Sequence, residues 1–372
     1  MKKIIISGGG TGGHIYPGIT IAREILQIEE AEILFVGTPL GMEAKIIPQE
    51  GFDFFGISSS GLKRNLSFEN FKTVLKTFGS VWKAKKLIKS FKPDVVVGTG
   101  GYVCGPVLLA AALSGIPTLI QEQNVIPGIT NKILSRFVDK IALGYEDAKF
   151  RFKYPEKCIY TGNPVRREII DAKREESRQK LNIDKNAFMV LIAGGSRGAR
   201  AINNAMIEVH NHFKNTENLC LYHVTGDKEY ENVMNALNSG GEKKYGKSSI
   251  IVGYQHDMPT ALAASDLVIY RAGAIGLAEL AAKELPSILI PYPYASEDHQ
   301  TYNARVFVAA GASKMIVDKH LTGKELIQDI EDLIANPDIL RYMSEATKKV
   351  QKINAGQEIA KLVFELSKWG KR

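Results

Sequence analysis

Twice along this chain an apolar run breaks into glycines and then opens a helix. The first case is Ile4-Ile5-Ile6-Ser7-Gly8-Gly9-Gly10-Thr11-Gly12-Gly13-His14. The second is Val190-Leu191-Ile192-Ala193-Gly194-Gly195-Ser196-Arg197-Gly198-Ala199-Arg200. Each reads as a buried parallel strand, a tight turn and a helix start, the opening of a βαβ unit. The pattern continues after each. Strands are predicted at residues 3–7, 32–36, 93–97, 118–121 and 140–143, then at 188–193, 219–224, 249–252, 267–270, 287–291 and 314–317. A helix is predicted near residues 17–30, and the chain reads as helical from residue 323. A charged stretch, residues 166–185, follows the turn-rich Thr161-Gly162-Asn163-Pro164 and reads as an interdomain linker containing a helix. The fold class is therefore α/β: two doubly wound parallel-sheet domains facing a cleft, with ligands expected outside the carboxyl ends of the strands.

Size and composition fit two large cores. A chain of 372 residues with 45% apolar and 24% charged residues lies in the globular range. Three widely spaced cysteines, Cys104, Cys158 and Cys220, form no C-x-x-C pair, which favours a reducing, cytoplasmic setting over a disulfide framework. The apolar start stops at Ser7-Gly8-Gly9-Gly10, too short for a signal peptide. Residues 95–121 carry no charge and are long enough to cross a bilayer. Gly98, Gly100, Gly101, Gly105, Pro106, Gly115 and Pro117 break them into strand, turn, short helix and turn.

Glycine after a parallel strand lets backbone N–H groups approach a phosphate, and the positive end of the next helix favours an anion. A diphosphate fits such a turn; a turn that binds nothing is the plainer alternative, weakened by the repeat at matched positions. Gly8, Gly10 and Gly13 satisfy G-x-G-x-x-G. A nicotinamide site also needs an acid at the end of the second strand, and here that strand ends Phe35-Val36-Gly37-Thr38. A dehydrogenase is therefore disfavoured. The P-loop pattern is missing as well.

The net charge is +8. Much of it gathers in Lys63, Arg64, Lys72, Lys76, Lys83, Lys85, Lys86, Lys89 and Lys92, interleaved with Phe71, Val74, Leu75, Phe78 and Trp82 at helical spacing. This reads as a basic amphipathic helix for an anionic membrane surface, or as an ordinary helix packing its stripe inward with lysines in solvent. No nucleic-acid-binding motif appears, so nucleic acid is not an expected partner.

Further motifs carry a resemblance. They are Gly100-Gly101-Tyr102-Val103-Cys104-Gly105-Pro106, Glu122-Gln123-Asn124, Gly162-Asn163-Pro164-Val165-Arg166, Arg271-Ala272-Gly273-Ala274 through Glu279, and Asp298-His299-Gln300. Together with the two glycine turns, in this order, they make the chain similar over nearly its whole length to the bacterial MurG family. That family adds N-acetylglucosamine to undecaprenyl-pyrophosphoryl-N-acetylmuramoyl-pentapeptide, converting lipid I to lipid II in peptidoglycan synthesis. The resemblance implies a GT-B fold: an acceptor and membrane-side domain at 1–164, a UDP-sugar donor domain at 165–345, and a last helix within 346–372 that returns to the first domain. It implies a peripheral enzyme on the cytoplasmic face of the cell membrane, with UDP-N-acetylglucosamine and lipid I as partners and no cofactor. Carried over by position, Thr11, Gly12 and Gly13 lie near diphosphate and sugar, Asn124 contacts sugar hydroxyls, and Arg166 and Ser196 bind phosphate. Ala274, Ile275, Gly276, Leu277, Ala278 and Glu279 line the nucleotide, Gln255 meets uracil through its backbone, and Gln300 reads the sugar. Gly276 stands where the family often has threonine.

The family's reaction inverts an α-linked donor to a β-linked product. One displacement suffices, given a base for the acceptor hydroxyl and stabilisation of the departing diphosphate. No Asp-x-Asp metal motif occurs, so Arg166, Ser196 and the helix starting near Gly198 are expected to meet the charge on UDP. His14, at a helix N-terminus whose dipole favours the neutral ring, is the candidate base; ordering the turn is its alternative role. Glu279 is the only charge in residues 272–282, and two ribose hydroxyls would supply the donors a buried carboxylate needs. Stabilising the helix dipole is the alternative. His299 and Gln300 follow an apolar strand and its turn, which puts them at the ligand edge of the sheet. Another GT-B UDP-sugar transferase acting on diacylglycerol or a small acceptor, a UDP-sugar epimerase and a non-catalytic binding protein remain open at this point.

Overall fold

The computed structural model describes residues 1–58, 68–195, 198–239 and 243–370, with residues 68–78 described by their backbone alone. Ser196, Arg197, Lys63 and Arg64 therefore lie outside the described residues, as do the side chains of Phe71, Lys72, Val74, Leu75, Lys76 and Phe78. The chain forms two compact units. One comprises Met1–Arg166 and Lys352–Arg372, the other Arg167–Gln351.

Among the described residues the first unit holds seven parallel strands: β1 (Lys2–Gly8), β2 (Ala31–Gly37), β3 (Asp53–Gly56), β4 (Val95–Gly100), β5 (Thr118–Glu122), β6 (Lys140–Leu143) and β7 (Cys158–Tyr160). Their order is β3-β2-β1-β4-β5-β6-β7. The period of two divides each strand between two cores. Ile5, Val36 and Val96 pack with helix Cys104–Leu113 on one face. Ile4, Ile6, Val95 and Val97 pack with helices Gly12–Ile28 and Ala355–Ser367 on the other. The last helix buries Ile359, Ala360, Val363 and Phe364 there, and Lys2 Nζ donates to the Ser367 carbonyl at 3.2 Å.

The described residues of the second unit form six parallel strands: β8 (Phe188–Ala193), β9 (Leu219–Val224), β10 (Ser249–Val252), β11 (Leu267–Tyr270), β12 (Ser287–Leu289) and β13 (Ser313–Met315). Their order is β10-β9-β8-β11-β12-β13. Val190, Ile192, Leu221, Ile269 and Ile288 meet helices Arg200–His212 and Gly323–Ala335 in its core.

Several local expectations need correction. The first helix starts at Gly12, not near Pro17, because Ile15 and Ile19 already bury their side chains against the sheet. β4 runs on to Gly100 rather than ending at residue 97, and its register against β1 shifts between Ser7 and Gly8. The charged stretch 166–185 is not a free linker. It forms helices Arg167–Asp171 and Arg174–Lys180, both part of the second unit. Arg178 fixes it there. Its buried guanidinium donates to the carbonyls of Ala264, Asp184, Lys185 and Ala187 and pairs with Asp266 at 2.6 Å. Residues 95–121 resolve into strand, helix and strand, and among the described residues no helix is long and apolar enough to cross a membrane.

Candidate functional site

In each sheet the strand order reverses once, between β1 and β4 and between β8 and β11. Crossovers leave to opposite sides there, opening a crevice at the carboxyl ends. Both glycine-rich turns sit at those two points.

In the first unit, residues 8–13 leave β1 beside the end of β4. The Gly9 N–H donates to the Gly100 carbonyl at 3.2 Å. Gly101 adopts φ +86°, and a Cβ there would stand 2.4 Å from the Gly9 carbonyl oxygen. The His14 ring lies against Gly100, where a Cβ would fall 2.6 Å from its Cδ2. His14 Nδ1 is 3.0 Å from the Gly9 carbonyl oxygen. A carbonyl only accepts, so Nδ1 carries the hydrogen and the neutral ring has its lone pair on Nε2. Thr11 is the N-cap, with its hydroxyl 3.4 Å from the same Nδ1. Gly12 and Gly13 begin the helix.

Behind this turn the strand ends are tied by buried amides. The Thr99 hydroxyl donates to the His14 carbonyl at 2.7 Å, and Gln123 Nε2 donates to the Thr99 carbonyl at 2.7 Å. Gln121 donates to Asn163 Oδ1 at 3.0 Å, and Asn163 Nδ2 to the Gln123 carbonyl at 2.9 Å. The motifs at residues 122–124 and 162–166 thus meet beneath His14. Glu122 folds the Asn124 loop by accepting the Asn124 and Gly128 amides and Asn131 Nδ2. Arg166 stacks its guanidinium 4.9 Å above the Tyr16 ring, two residues along the helix from His14.

One residue in this region carried no recognisable sequence signal. Glu43, fully buried, accepts the Gly10 N–H at 3.0 Å and both the N–H and the hydroxyl of Thr38, at 2.9 and 2.6 Å. Burial pushes its pKa up, but the donors from Thr38 and Gly10 outweigh burial and hold it below the usual carboxylate value. Its donors come from separate segments, so no spacing announces them. Cys104 also lies near β4, against Gly98, but burial pushes its thiol up to about 12, which leaves it unreactive at neutral pH.

In the second unit, Gly194 and Gly195 leave β8 and helix Arg200–His212 follows. Gly198 turns at φ +74° with its amide on the Gly195 carbonyl at 2.9 Å. A Cβ there would meet the Thr225 carbonyl oxygen at 2.2 Å. Next to it, at the end of β11, helix Ala274–Ala282 begins after the N-cap Gly273. It buries Ala274, Leu277 and Glu279 and leaves Ile275, Gly276 and Ala278 half-buried. Gly276 has a packing reason: a Cβ would stand 2.6 Å from the Tyr270 ring. That ring occupies the room a threonine would take.

The remaining predicted residues spread along the same edge. Gln255 follows β10, at the far side of the sheet, and its amide donates to the Tyr222 hydroxyl at 2.9 Å. Gln300 Oε1 accepts the Tyr292 N–H at 2.9 Å, and His299 Nδ1 donates to the Ser296 carbonyl at 2.7 Å. Glu297 and Asp298, just before them, both adopt left-handed φ of 54° and 52°. Such strain in non-glycine residues concentrates at binding turns. Arg271 holds that turn through the Ile290 and Pro291 carbonyls and Asp318. Among the described residues no group of three His, Cys, Asp or Glu side chains gathers as a metal ion would need.

Two Rossmann-like parallel-sheet units, each with a glycine turn at its switch point, define a GT-B glycosyltransferase. The glycosyltransferase family 28 N-terminal domain matches residues 4–143, and the family 28 C-terminal domain matches residues 189–362. The chain belongs to glycosyltransferase family 28. It is 47% identical over 367 residues, 98% of each chain, to the UDP-N-acetylglucosamine–N-acetylmuramyl-(pentapeptide) pyrophosphoryl-undecaprenol N-acetylglucosamine transferase of Desulforamulus reducens. It is 46% identical to the enzyme of the same name from Thermoanaerobacter sp. (strain X514), over 98% of this chain and 100% of that one. The crystal structure of Acinetobacter baumannii MurG superposes with a TM-score of 0.77 at 28% identity, covering 98% of this chain and 100% of that chain.

Proposed function

We propose that this chain transfers N-acetylglucosamine from UDP-N-acetylglucosamine to undecaprenyl-pyrophosphoryl-N-acetylmuramoyl-pentapeptide, with inversion at the anomeric carbon. The observation that carries this reading is the 47% identity to the Desulforamulus transferase over 98% of both chains. The geometry supports a division of labour. The acceptor hydroxyl gives its proton to Nε2 of His14, and its oxygen bonds to the anomeric carbon. The bond from that carbon to the UDP oxygen breaks, and the electron pair leaves with UDP. Arg166, Ser196 and the N-terminal end of helix Arg200–His212 offset the charge that develops on the diphosphate. Thr11, Gly12 and Gly13 flank the diphosphate and sugar, and Asn124, His299 and Gln300 read sugar hydroxyls. Residues 274–278 and the Gln255 backbone line the nucleotide, while the Glu279 carboxylate accepts the ribose hydroxyls.

The enzyme works at an anionic membrane, on its cytoplasmic face. Helix Phe68–Phe91 supports this: Ala84 and Ile88 face the core, while Trp82 is 65% exposed beside exposed Lys83, Lys85, Lys86 and Lys89. Lys86 Nζ lies 5.8 Å from the Trp82 ring. An exposed indole among lysines suits an interface between headgroups and water.

The test is one assay: labelled UDP-N-acetylglucosamine with a lipid I analogue. A β-linked, acceptor-dependent product supports the reading. Sugar released without acceptor points to an epimerase, and transfer to diacylglycerol alone to another GT-B transferase; either would overturn it. Sedimentation with anionic but not neutral vesicles tests the membrane surface.

A further inference from the structure

Glu43 and His14 are joined through one peptide group. The Gly10 N–H held by Glu43 Oε2 belongs to the same amide as the Gly9 carbonyl, and that carbonyl accepts from His14 Nδ1. The order is carboxylate, N–H, C=O, then the imidazole N–H. Hydrogen bonds in such a chain polarise one another, so the acid makes the Gly9 carbonyl a stronger acceptor. The surroundings are built for this acid. A Cβ at Gly9, Gly37 or Gly41 would stand 2.2, 2.4 or 2.3 Å from Glu43 side-chain atoms, so three glycines leave room for one carboxylate. Oε1 is occupied by Thr38, which leaves Oε2 aimed at Gly10.

We infer that Glu43 is a positioning residue for His14. Through the Gly9–Gly10 peptide its carboxylate holds the imidazole in the Nδ1–H tautomer and raises the basicity of Nε2. This deepens the proposed function and rests on its assignment of His14 as the group that takes the acceptor proton. Around His14 stand the Thr11 hydroxyl, 3.4 Å from Nδ1, Gly100 of β4 against the ring, and the Thr99 hydroxyl on the His14 backbone carbonyl, while Arg166 stacks on Tyr16 two residues along the same helix. None of these acts through the Gly9 carbonyl, so a change at Glu43 is read there separately.

The experiment is nitrogen NMR of histidine-labelled full-length protein, wild type against Glu43→Gln, with the His14 signals assigned from a His14→Ala sample. A glutamine offers one carbonyl oxygen where the acid serves both Thr38 and Gly10. The expected result is loss of the Nδ1–H preference, a downward move of the His14 titration midpoint, and kcat reduced about tenfold or more. The KM for UDP-N-acetylglucosamine stays within about twofold. A folded Glu43→Gln protein with the wild-type His14 tautomer and midpoint overturns the inference, whether or not activity falls. Should that variant not fold, Thr38→Val decides. It removes one donor from Oε1 and leaves more negative charge at Oε2, so the His14 midpoint should rise; no rise overturns the inference. If His14→Ala keeps its kcat, the base assignment falls, while the tautomer comparison still tests the relay.

Discussion

His210 Nε2 lies 3.1 Å from His223 Nδ1, and the direction of that hydrogen bond is fixed from one end. Asn203 Nδ2 donates to the Thr225 carbonyl at 2.9 Å, so its Oδ1 faces His223 Nε2 and must accept from it at 3.1 Å. His223 Nδ1 is then the acceptor and His210 Nε2 the donor, with the Ser249 hydroxyl donating to His210 Nδ1 at 2.8 Å. Both rings are fully buried. The chain ends on the carbonyl that packs against Gly198, so these neutral histidines brace the second glycine turn.

The first prediction is acid sensitivity of the second unit. Burial lowers His210 from 6.5 to about 4, and burial with the neighbouring His210 lowers His223 well below its usual value. A histidine depressed in the folded state contributes stability that is present above the unfolded value of about 6.5 and lost as pH falls toward the folded value. His210 alone therefore removes roughly 3 kcal/mol between about pH 6.5 and 4. Urea unfolding at steps of pH measures this. His210→Ala should make the decline shallower across that window; an unchanged slope would contradict the assignment.

Glu279→Ala should weaken nucleotide-sugar binding without unfolding the chain. The residue is 6% exposed in a helix of small and apolar residues, at the switch point of the second sheet. Loss of a carboxylate that accepts two hydroxyls costs about 1.5–3 kcal/mol, equivalent to a KM raised roughly tenfold to a hundredfold. Steady-state kinetics beside a thermal melt separate the two effects. A normal KM with a lowered melting temperature would make Glu279 a structural acid only.

The pattern of strand and glycine turn was legible because both physical signals are local. Runs such as Phe188–Ala193 are buried on both faces and leave no polar residue to confuse the period. The edge strands of the first sheet were not legible. Asp53–Gly56 is mostly exposed, and Cys158–Tyr160 is three residues long. The start of the first helix was hidden by Gly12 and Gly13, weak helix formers that hold helical geometry here through tertiary packing. Glu43 could not be found at all, since its partners Gly10 and Thr38 and its three glycine walls share no periodicity with it. At the site, the placement of both glycine turns at the strand ends followed from the sequence pattern, while contacts such as Gln255 on Tyr222 and the Tyr270 ring over Gly276 arise from packing that no local spacing announces.

Gly101→Ala should impair the first turn selectively. The new methyl would meet the Gly9 carbonyl oxygen at 2.4 Å, in a backbone conformation that L-residues avoid. The conformational cost alone is about 1–3 kcal/mol, and the clash displaces the carbonyl that holds His14. The expected outcome is a kcat reduced at least about tenfold, with UDP affinity by calorimetry falling less than kcat, because the proposed nucleotide-lining helix Ala274–Ala282 of the second unit is untouched. Equal loss of kcat and UDP affinity would contradict this localisation.

Arg178 provides the last prediction, one about stability rather than chemistry. Its guanidinium ties the end of helix Arg174–Lys180 to β8 and β11 through four carbonyls and the Asp266 carboxylate, which itself accepts the Met189 N–H at 2.7 Å. Burial opposes its charge and Asp266 favours it; the balance leaves its pKa lowered. Arg178→Ala removes the cation and leaves Asp266 and several carbonyls short of donors. Breaking a buried pair in this way costs about 3–5 kcal/mol. For a unit of this size that is a melting temperature lower by roughly 10 °C, since each kcal/mol shifts it by about 2–4 °C. Arg178→Lys should recover only part of the loss, because one ammonium cannot serve acceptors spread over so many directions. Calorimetry of the three proteins at neutral pH checks the order wild type, Lys, Ala; a lysine variant as stable as wild type would show that charge alone, not the fork of donors, secures the segment.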